Sequence, residues 1–188
     1  MRIIGGRHRG REIAAPEGEA VRPTGDRVRE ALFNILEHGL FAAGGSPFIG
    51  KTVLDVFAGT GAFGLEALSR GAAHAGFIEQ AIPALDALRA NIARLGEQNR
   101  ASVVAADATR PPPARRLASL AFLDPPYGGG LASVALPALV EAGWLELGAL
   151  AVVEIGSRET FPALPGFALE DERVYGVAKL VFLKRQGR

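Results

Sequence analysis

Lys51-Thr-Val-Leu-Asp55-Val-Phe57-Ala-Gly59-Thr-Gly61-Ala-Phe-Gly64 is the stretch on which the fold turns. Residues 52–57 form an apolar run of the length expected for a strand buried on both faces. Closely spaced glycines break the run, and an apolar helical pattern follows over 61–70, closed by Gly71. Strand, glycine turn and helix in that order open a parallel α/β unit.

Downstream the rhythm repeats. Strands are predicted at 74–79 and 101–106, with a helix over 82–95 between them, closed by Gly96. After the loop at Pro111-Pro112-Pro113 comes a fourth strand leading to Leu123, a helix over 131–142 and a fifth strand over 150–155. The tail alternates around 167–174 and 178–184, joined near Gly176, as a closing antiparallel hairpin does. The expected fold is therefore α/β, a doubly wound, mostly parallel seven-stranded sheet. Upstream, Thr24 or Asp26 caps a helix running to about His38, with Val28, Ala31, Leu32, Ile35 and Leu36 on its apolar face. Residues 16–23 and 44–50 read as loops. Residues 1–6 and 10–14 read as two short strands around a turn rich in Gly, Arg and His. That predicts a small N-terminal β-hairpin extension over residues 1–23 and a main domain over 24–188. A two-stranded hairpin is marginal alone, so it should lie against the main body.

Composition narrows the function classes. At 188 residues, with 48% hydrophobic and 22% charged residues, one domain with a sizeable core is expected. The absence of cysteine removes disulfides, thiolate metal sites and a cysteine nucleophile. His8, His38 and His74 show no ligand spacing, so no metal is expected. The Arg-rich start carries no signal peptide, and no run approaches the roughly 20 apolar residues of a membrane span. The expectation is a cytoplasmic monomer with no membrane contact. Net charge is +1, but its distribution is uneven: Arg2, Arg7, Arg9 and Arg11 share residues 1–11 with no acid, and Arg27 and Arg29 follow. Such an arm suits a phosphate-rich partner at one face. A solvated terminus in a chain that prefers Arg to Lys gives the same pattern.

A second motif is Leu123-Asp124-Pro125-Pro126-Tyr127. The prolines lack N–H groups and end the fourth strand, which puts Asp124 at its carboxyl tip, where open α/β sheets bind ligands. Asp124 offers a carboxylate, Pro125 a carbonyl on a stiff backbone and Tyr127 a flat face with a polar tip. That set suits a planar group bearing an exocyclic amine; a turn with a capping Asp is the plainer alternative. The glycine turn holds a trap, because Gly59, Gly61 and Gly64 match G-x-G-x-x-G and Glu79 follows twenty residues after Gly59, as in dinucleotide enzymes. Three features oppose an NAD oxidoreductase. Asp55 would repel a pyrophosphate yet could accept from an ammonium. No substrate domain follows, and Asp124-Pro-Pro-Tyr has no part in hydride transfer. A cofactor with an amino-acid end, a ribose and an adenine uses every group: Asp55 and the glycine turn, Glu79 for the ribose hydroxyls, and Asp107, after the third strand, for the adenine amine. S-adenosyl-L-methionine is that cofactor. Asp107 viewed alone is equally a turn-forming residue.

The strand–D-x-F-x-G-x-G turn, Glu79 and D-P-P-Y resemble a class I, Rossmann-like methyltransferase of the amino-methylating type. Met1-Arg-Ile-Ile-Gly-Gly, Arg9-Gly-Arg11, Arg22-Pro-Thr, Asp26-Arg-Val-Arg-Glu-Ala-Leu-Phe-Asn34 and the two motifs together resemble the RsmD family, bacterial 16S ribosomal RNA guanine-N2 methyltransferases. The resemblance implies S-adenosyl-L-methionine held by Asp55, Phe57, Gly59, Thr60, Gly61, Glu79, Asp107 and Ala108, and catalysis at Asp124, Pro125, Pro126 and Tyr127. Arg2, Arg7, Arg9, Arg11, Arg27 and Arg29 would meet RNA, either naked or in an assembling small subunit; Thr24 and Asn34 either face the cofactor or lie on the helix surface. The rivals are a DNA adenine-N6 or cytosine-N4 methyltransferase, which shares D-P-P-Y but usually needs a recognition insert this chain has no room for, and a non-catalytic RNA-binding module, which would have no use for three acids at strand tips.

Overall fold

A computed structural model describes residues 1–15, 23–42 and 44–187. The side chains of Pro23, Thr24, Asp26 and Leu40 lie outside the described set, as do Arg22 and most of the loop expected at 16–23, so the predicted cap of the first helix falls there too. Among the described residues the sheet has seven strands: β1 (Thr52–Val56), β2 (His74–Glu79), β3 (Ala101–Ala105), β4 (Ala118–Leu123), β5 (Leu145–Gly156), β6 (Phe167–Tyr175) and β7 (Ala178–Arg185). Their order is β3-β2-β1-β4-β5-β7-β6, parallel from β3 through β5, with β7 antiparallel to β5 and β6 antiparallel to β7. The doubly wound, mostly parallel expectation holds. Helices α1 (Pro23–His38), α2 (Ala62–Ser69), α3 (Ile82–Leu95) and α4 (Leu131–Glu141) supply the layers. None is long and apolar enough to cross a membrane among the described residues.

Strand alternation sorts the core into two faces. Val53, Phe77, Phe122 and Val152 point to the side that holds Leu32, Phe33, Leu65 and Leu68 of α1 and α2. Leu54, Ile78, Leu123 and Val153 point to the α4 side, among Ala135, Leu136 and Leu139. Phe33 packs its ring 5.2 Å from Phe48 and 5.5 Å from Phe122, so α1 is seated on the centre of the sheet. β5 begins at Leu145, five residues before the predicted start, because a register irregularity between Ala118 and Leu120 of β4 lets Leu145 pair early.

The N-terminal segment departs most from its expected form. It keeps hairpin bonds, with Ile3 N–H to Arg11 O at 2.9 Å and Ile13 N–H to Met1 O at 3.0 Å, but only one bridge, Arg2 to Glu12, around a 3₁₀ turn over Gly6–His8. Others of its backbone groups are taken by the main body. Ile4 and Gly5 N–H donate to Glu66 at 2.7 and 2.8 Å, and Ser69 Oγ donates to Gly5 O at 2.5 Å. Asn91 closes the far side, accepting from Ala14 N–H at 2.9 Å and donating to Ala14 O at 2.9 Å. Ile3 and Ile13 are buried in the same cluster as Leu65 and Leu68, so this segment extends the main core.

Candidate active site at the carboxyl ends of the strands

β1 ends at Val56, and the next residue, Phe57, takes φ 58, a left-handed conformation rare for a bulky side chain. Such strain persists where surrounding contacts over-determine it, and it concentrates at ligand sites. The chain then turns tightly, with Gly61 N–H donating to Ala58 O at 2.7 Å. Only glycine fits at Gly61: φ is 82, and a Cβ there would lie 2.4 Å from Leu88. At Gly64 a Cβ would lie 2.3 Å from the Phe77 ring and 3.2 Å from Asp55 Cβ, so the helix start is pressed onto the sheet. Gly59, by contrast, opens onto space, with φ 54 and no atom within 4 Å of a notional Cβ. The backbone is bare at the place a ligand would approach.

Two carboxylates hold this turn. Asp55, 1% exposed, accepts from Gly64 N–H at 2.8 Å and ties the first turn of α2 to β1. Glu79, at the end of β2, accepts from Gly59 N–H at 2.8 Å through one oxygen and from Gln80 and Ala81 N–H at 2.8 and 2.7 Å through the other. Burial pushes the Asp55 carboxyl well above the usual carboxylate range; the Gly64 N–H opposes that rise, and the Asp124 and Glu79 carboxylates add to it. Thr60 lies between Met1, whose sulfur is 4.0 Å from its hydroxyl, and Asn91, which donates to its carbonyl at 3.1 Å. After β3, Asp107 Oδ1 accepts from Thr109 N–H and Oγ at 2.9 and 2.7 Å, and these bonds hold its carboxyl below the usual value, with Ala108 buried behind it. Asp107 is thus a turn-former whose other oxygen faces Arg110 at 3.5 Å.

Asp124 follows β4 and is exposed, its N–H 3.5 Å from Val56 O. Pro125 is buried, and Pro126 and Tyr127 are exposed. Tyr127 Oη donates to Glu154 Oε1 on β5 at 2.6 Å. The Pro-Pro-Tyr turn, the start of α4 and the loop after β5 line one shallow cleft of about 50 Å³, with Glu154 and Phe161 also in its lining. Sequence reasoning passed over Glu154. Its signal was present, a lone acid in the apolar run Ala151-Val-Val-Glu154-Ile, the same signature that singled out Asp55 in β1.

The predicted arginines divide. Arg29 is buried and donates to Arg2 O at 2.7 Å. Arg7 pairs with buried Glu97, and Arg11 donates to Arg94 O at 2.5 Å. Arg2 bonds Glu12 at 2.9 Å at the surface, while Arg9 and Arg27 are exposed. Asn34, too, lies on an exposed face of α1.

Asp55, Glu79 and Asp124 sit at the tips of three neighbouring strands, close enough for each of the last two to raise the first. A cationic ligand relieves that like-charge coupling and an anionic one worsens it, so the cradle fits a sulfonium with an amino-acid end and opposes a dinucleotide pyrophosphate.

The model of the family described as Conserved hypothetical protein 95 matches residues 1–184. The chain belongs to that family. Ribosomal RNA small subunit methyltransferase D from Escherichia coli (strain K12) is 37% identical over 196 residues, spanning 100% of this chain and 91% of that protein. The putative rRNA methyltransferase YlbH of Bacillus subtilis is 32% identical over 192 residues, spanning 100% of each. Among solved structures, a putative methyltransferase from Escherichia coli superposes with a TM-score of 0.82 at 36% identity, covering 100% of this chain and 99% of that one. The RsmD resemblance carried by the two motifs and the N-terminal segment therefore holds along the whole length of this Conserved hypothetical protein 95 member.

Proposed function

We propose that the chain is an S-adenosyl-L-methionine-dependent methyltransferase that modifies the exocyclic N2 of a guanine in small-subunit (16S) ribosomal RNA, in the cytoplasm. The observation that carries this reading is the placement of Asp124-Pro-Pro-Tyr127 at the tip of β4, directly beside the acid-lined glycine turn of β1. Full-length similarity to a protein named for small-subunit ribosomal RNA methylation supports the choice of RNA.

The bound cofactor supplies an electrophilic methyl on a sulfonium. Asp55 and the bare backbone at Gly59 would hold its amino-acid end, Glu79 its ribose hydroxyls, and Asp107 with Ala108 its adenine edge, with Phe57 and Thr60 shaping the turn. A guanine N2 lone pair is delocalised into the ring and is a poor nucleophile. Hydrogen bonds from that amine to the Asp124 carboxylate and the Pro125 carbonyl favour a pyramidal nitrogen and aim its lone pair; each bond to a charged group is worth about 1.5–3 kcal/mol. Positioning adds to this, with roughly 7–11 kcal/mol available from well-oriented geometry. Tyr127 stacks on the base, a contact worth about 1–3 kcal/mol. As the N–CH₃ bond forms the S–CH₃ bond breaks, and the amine loses one proton, to Asp124 or to water. The decisive experiment offers methyl-labelled S-adenosyl-L-methionine to small ribosomal subunits, naked ribosomal RNA, transfer RNA and DNA, and maps the labelled nucleoside. Label on a guanine of small-subunit RNA is expected; label on DNA alone, or on no RNA, overturns the reading.

A further inference from the structure

We propose that Glu154 reads the ring N–H beside the methylated amine and so selects guanine against bases whose amine has no ring N–H next to it; this rests on the methyl-transfer reading above. Leu123 of β4 pairs in parallel register with Val153 of β5. One residue further on, Asp124 follows the first and Glu154 the second, on strands spaced about 4.8 Å apart. By alternation Glu154 shares a sheet face with Val152, the face that also carries Asp55 beyond Val53 and Glu79 beyond Phe77. It is half-buried, lines the cleft with Pro125, Pro126 and Tyr127, and already accepts from Tyr127 Oη at 2.6 Å. A carboxylate offers about four acceptor positions, so it can serve more than one donor at a time.

The chemistry of the three amine-bearing bases separates them at this point. The N2 amine of guanine lies between a donor, N1–H, and a bare N3. The N6 amine of adenine neighbours a bare N1, and the N4 amine of cytosine a bare N3. With the amine held by Asp124 and Pro125, a second carboxylate one strand across accepts from guanine N1–H and faces a lone pair in the other two. An acceptor there leaves guanine satisfied and desolvates its rivals without compensation. Glu154 is thereby a specificity residue, and its bond to Tyr127 aligns the stacking ring with the edge being read.

The test uses the full chain and the RNA that accepts label, carrying at the labelled position either guanine or 2,6-diaminopurine, which keeps the 2-amine but has a bare N1. The wild-type protein is expected to favour guanine in kcat/KM by about tenfold or more. Glu154→Gln, of the same shape, should lose about tenfold on guanine and bring the two bases within about threefold, because an amide presents either a donor or an acceptor; S-adenosyl-L-methionine affinity should not move. Tyr127→Phe removes the hydroxyl but not the carboxylate, and should keep the guanine preference whatever its rate. A Glu154→Gln protein with unchanged guanine preference overturns the inference alone. So does a Tyr127→Phe protein whose preference collapses equally, since Glu154 would then act only through the ring. A wild-type protein that labels no guanine in any RNA overturns the methyl-transfer reading and the inference with it.

Discussion

Glu66 and Glu97, beneath the N-terminal segment, and Asp55, at the tip of β1, are all nearly sealed from solvent, yet their surroundings are opposite. Glu66 accepts from two backbone N–H groups and from Arg70 Nε at 2.7 Å, and Arg70 goes on to Glu37 and lies 4.9 Å over the Phe33 ring. Glu97 is bracketed by Arg100 at 2.7 Å, by His8 at 2.6 Å and by Arg7. Asp55 has backbone N–H partners, and the charges that act on it are two further carboxylates. Acids neutralised by arginine on the spot fasten chain segments together. Acids whose charged neighbours are other acids keep a site electrostatically unsatisfied until a cation arrives.

The sharpest way to break that distinction is to remove one acid of each kind. Glu66→Ala strips the acceptor from Ile4 N–H, Gly5 N–H and Arg70 in a dry setting, and loss of one partner of a buried pair costs about 3–5 kcal/mol. Urea unfolding should show that drop as a lower midpoint, and methyl transfer below the transition should survive. Asp124→Ala should do the reverse. Asp124 is exposed, so the unfolding free energy from urea should move by no more than about 0.5 kcal/mol, whereas transfer should fall about 10²- to 10³-fold with cofactor affinity intact, as measured by label transfer and calorimetry. An Asp124→Ala protein that transfers methyl at full rate removes the catalytic assignment.

Asp55 sharpens the comparison through pH. Its native pKa lies above the unfolded one, so the folded state binds the extra proton between the two values. Stability from this group is complete below the ordinary carboxylate pKa and is lost as pH rises through the raised native value. Asp55→Asn keeps an oxygen for Gly64 N–H and carries no charge, so its unfolding free energy relative to wild type should improve as pH climbs through that window. The same substitution should weaken S-adenosyl-L-methionine about tenfold, the value of one hydrogen bond to a charged group. Cofactor binding should also release protons from the wild-type protein within the window, read by calorimetry in buffers of different ionisation heat. Equal proton release by Asp55→Asn would assign the coupling elsewhere.

The contrast also explains what the chain disclosed in advance. The parallel sheet was legible because Val53-Leu54, Phe77-Ile78 and Phe122-Leu123 are apolar on both faces, and because glycines stop the first of these runs and prolines the last at the ligand edge. Asp55 was legible as an acid inside an apolar strand just before a glycine turn, Glu79 as an acid twenty residues past Gly59 at a strand end, and Asp124 as an acid before two prolines. Glu154 is a lone acid in an apolar run as Asp55 is, but neither a glycine-rich turn of the G-x-G-x-x-G kind nor a Pro-Pro pair follows it to set it apart. The roles of Arg7, Arg11 and Arg29 were hidden for another reason. Their acceptors are Glu97, Arg94 O and Arg2 O, and two of these lie more than 80 positions away, where local charge patterning carries no information.

That division of the arginines yields the mildest and most discriminating expectation. Arg7, Arg9, Arg11 and Arg27 are all exposed, but Arg7 and Arg11 are tied to Glu97 and to Arg94 O. If RNA lies along this face, Arg9→Ala and Arg27→Ala should each weaken RNA binding a few-fold and lower the slope of log K against log salt by about one, with the unfolding midpoint unmoved. Arg7→Ala leaves buried Glu97 with Arg100 and His8 alone, so it should lower the midpoint and leave the salt slope near wild type. Filter binding across a salt series, run beside urea unfolding on the same four proteins, separates the two groups. Parallel salt slopes for Arg7→Ala and Arg9→Ala would mean that the N-terminal segment meets RNA with its tethered arginines as well, and that its fastening to α2 and α3 loosens when RNA binds.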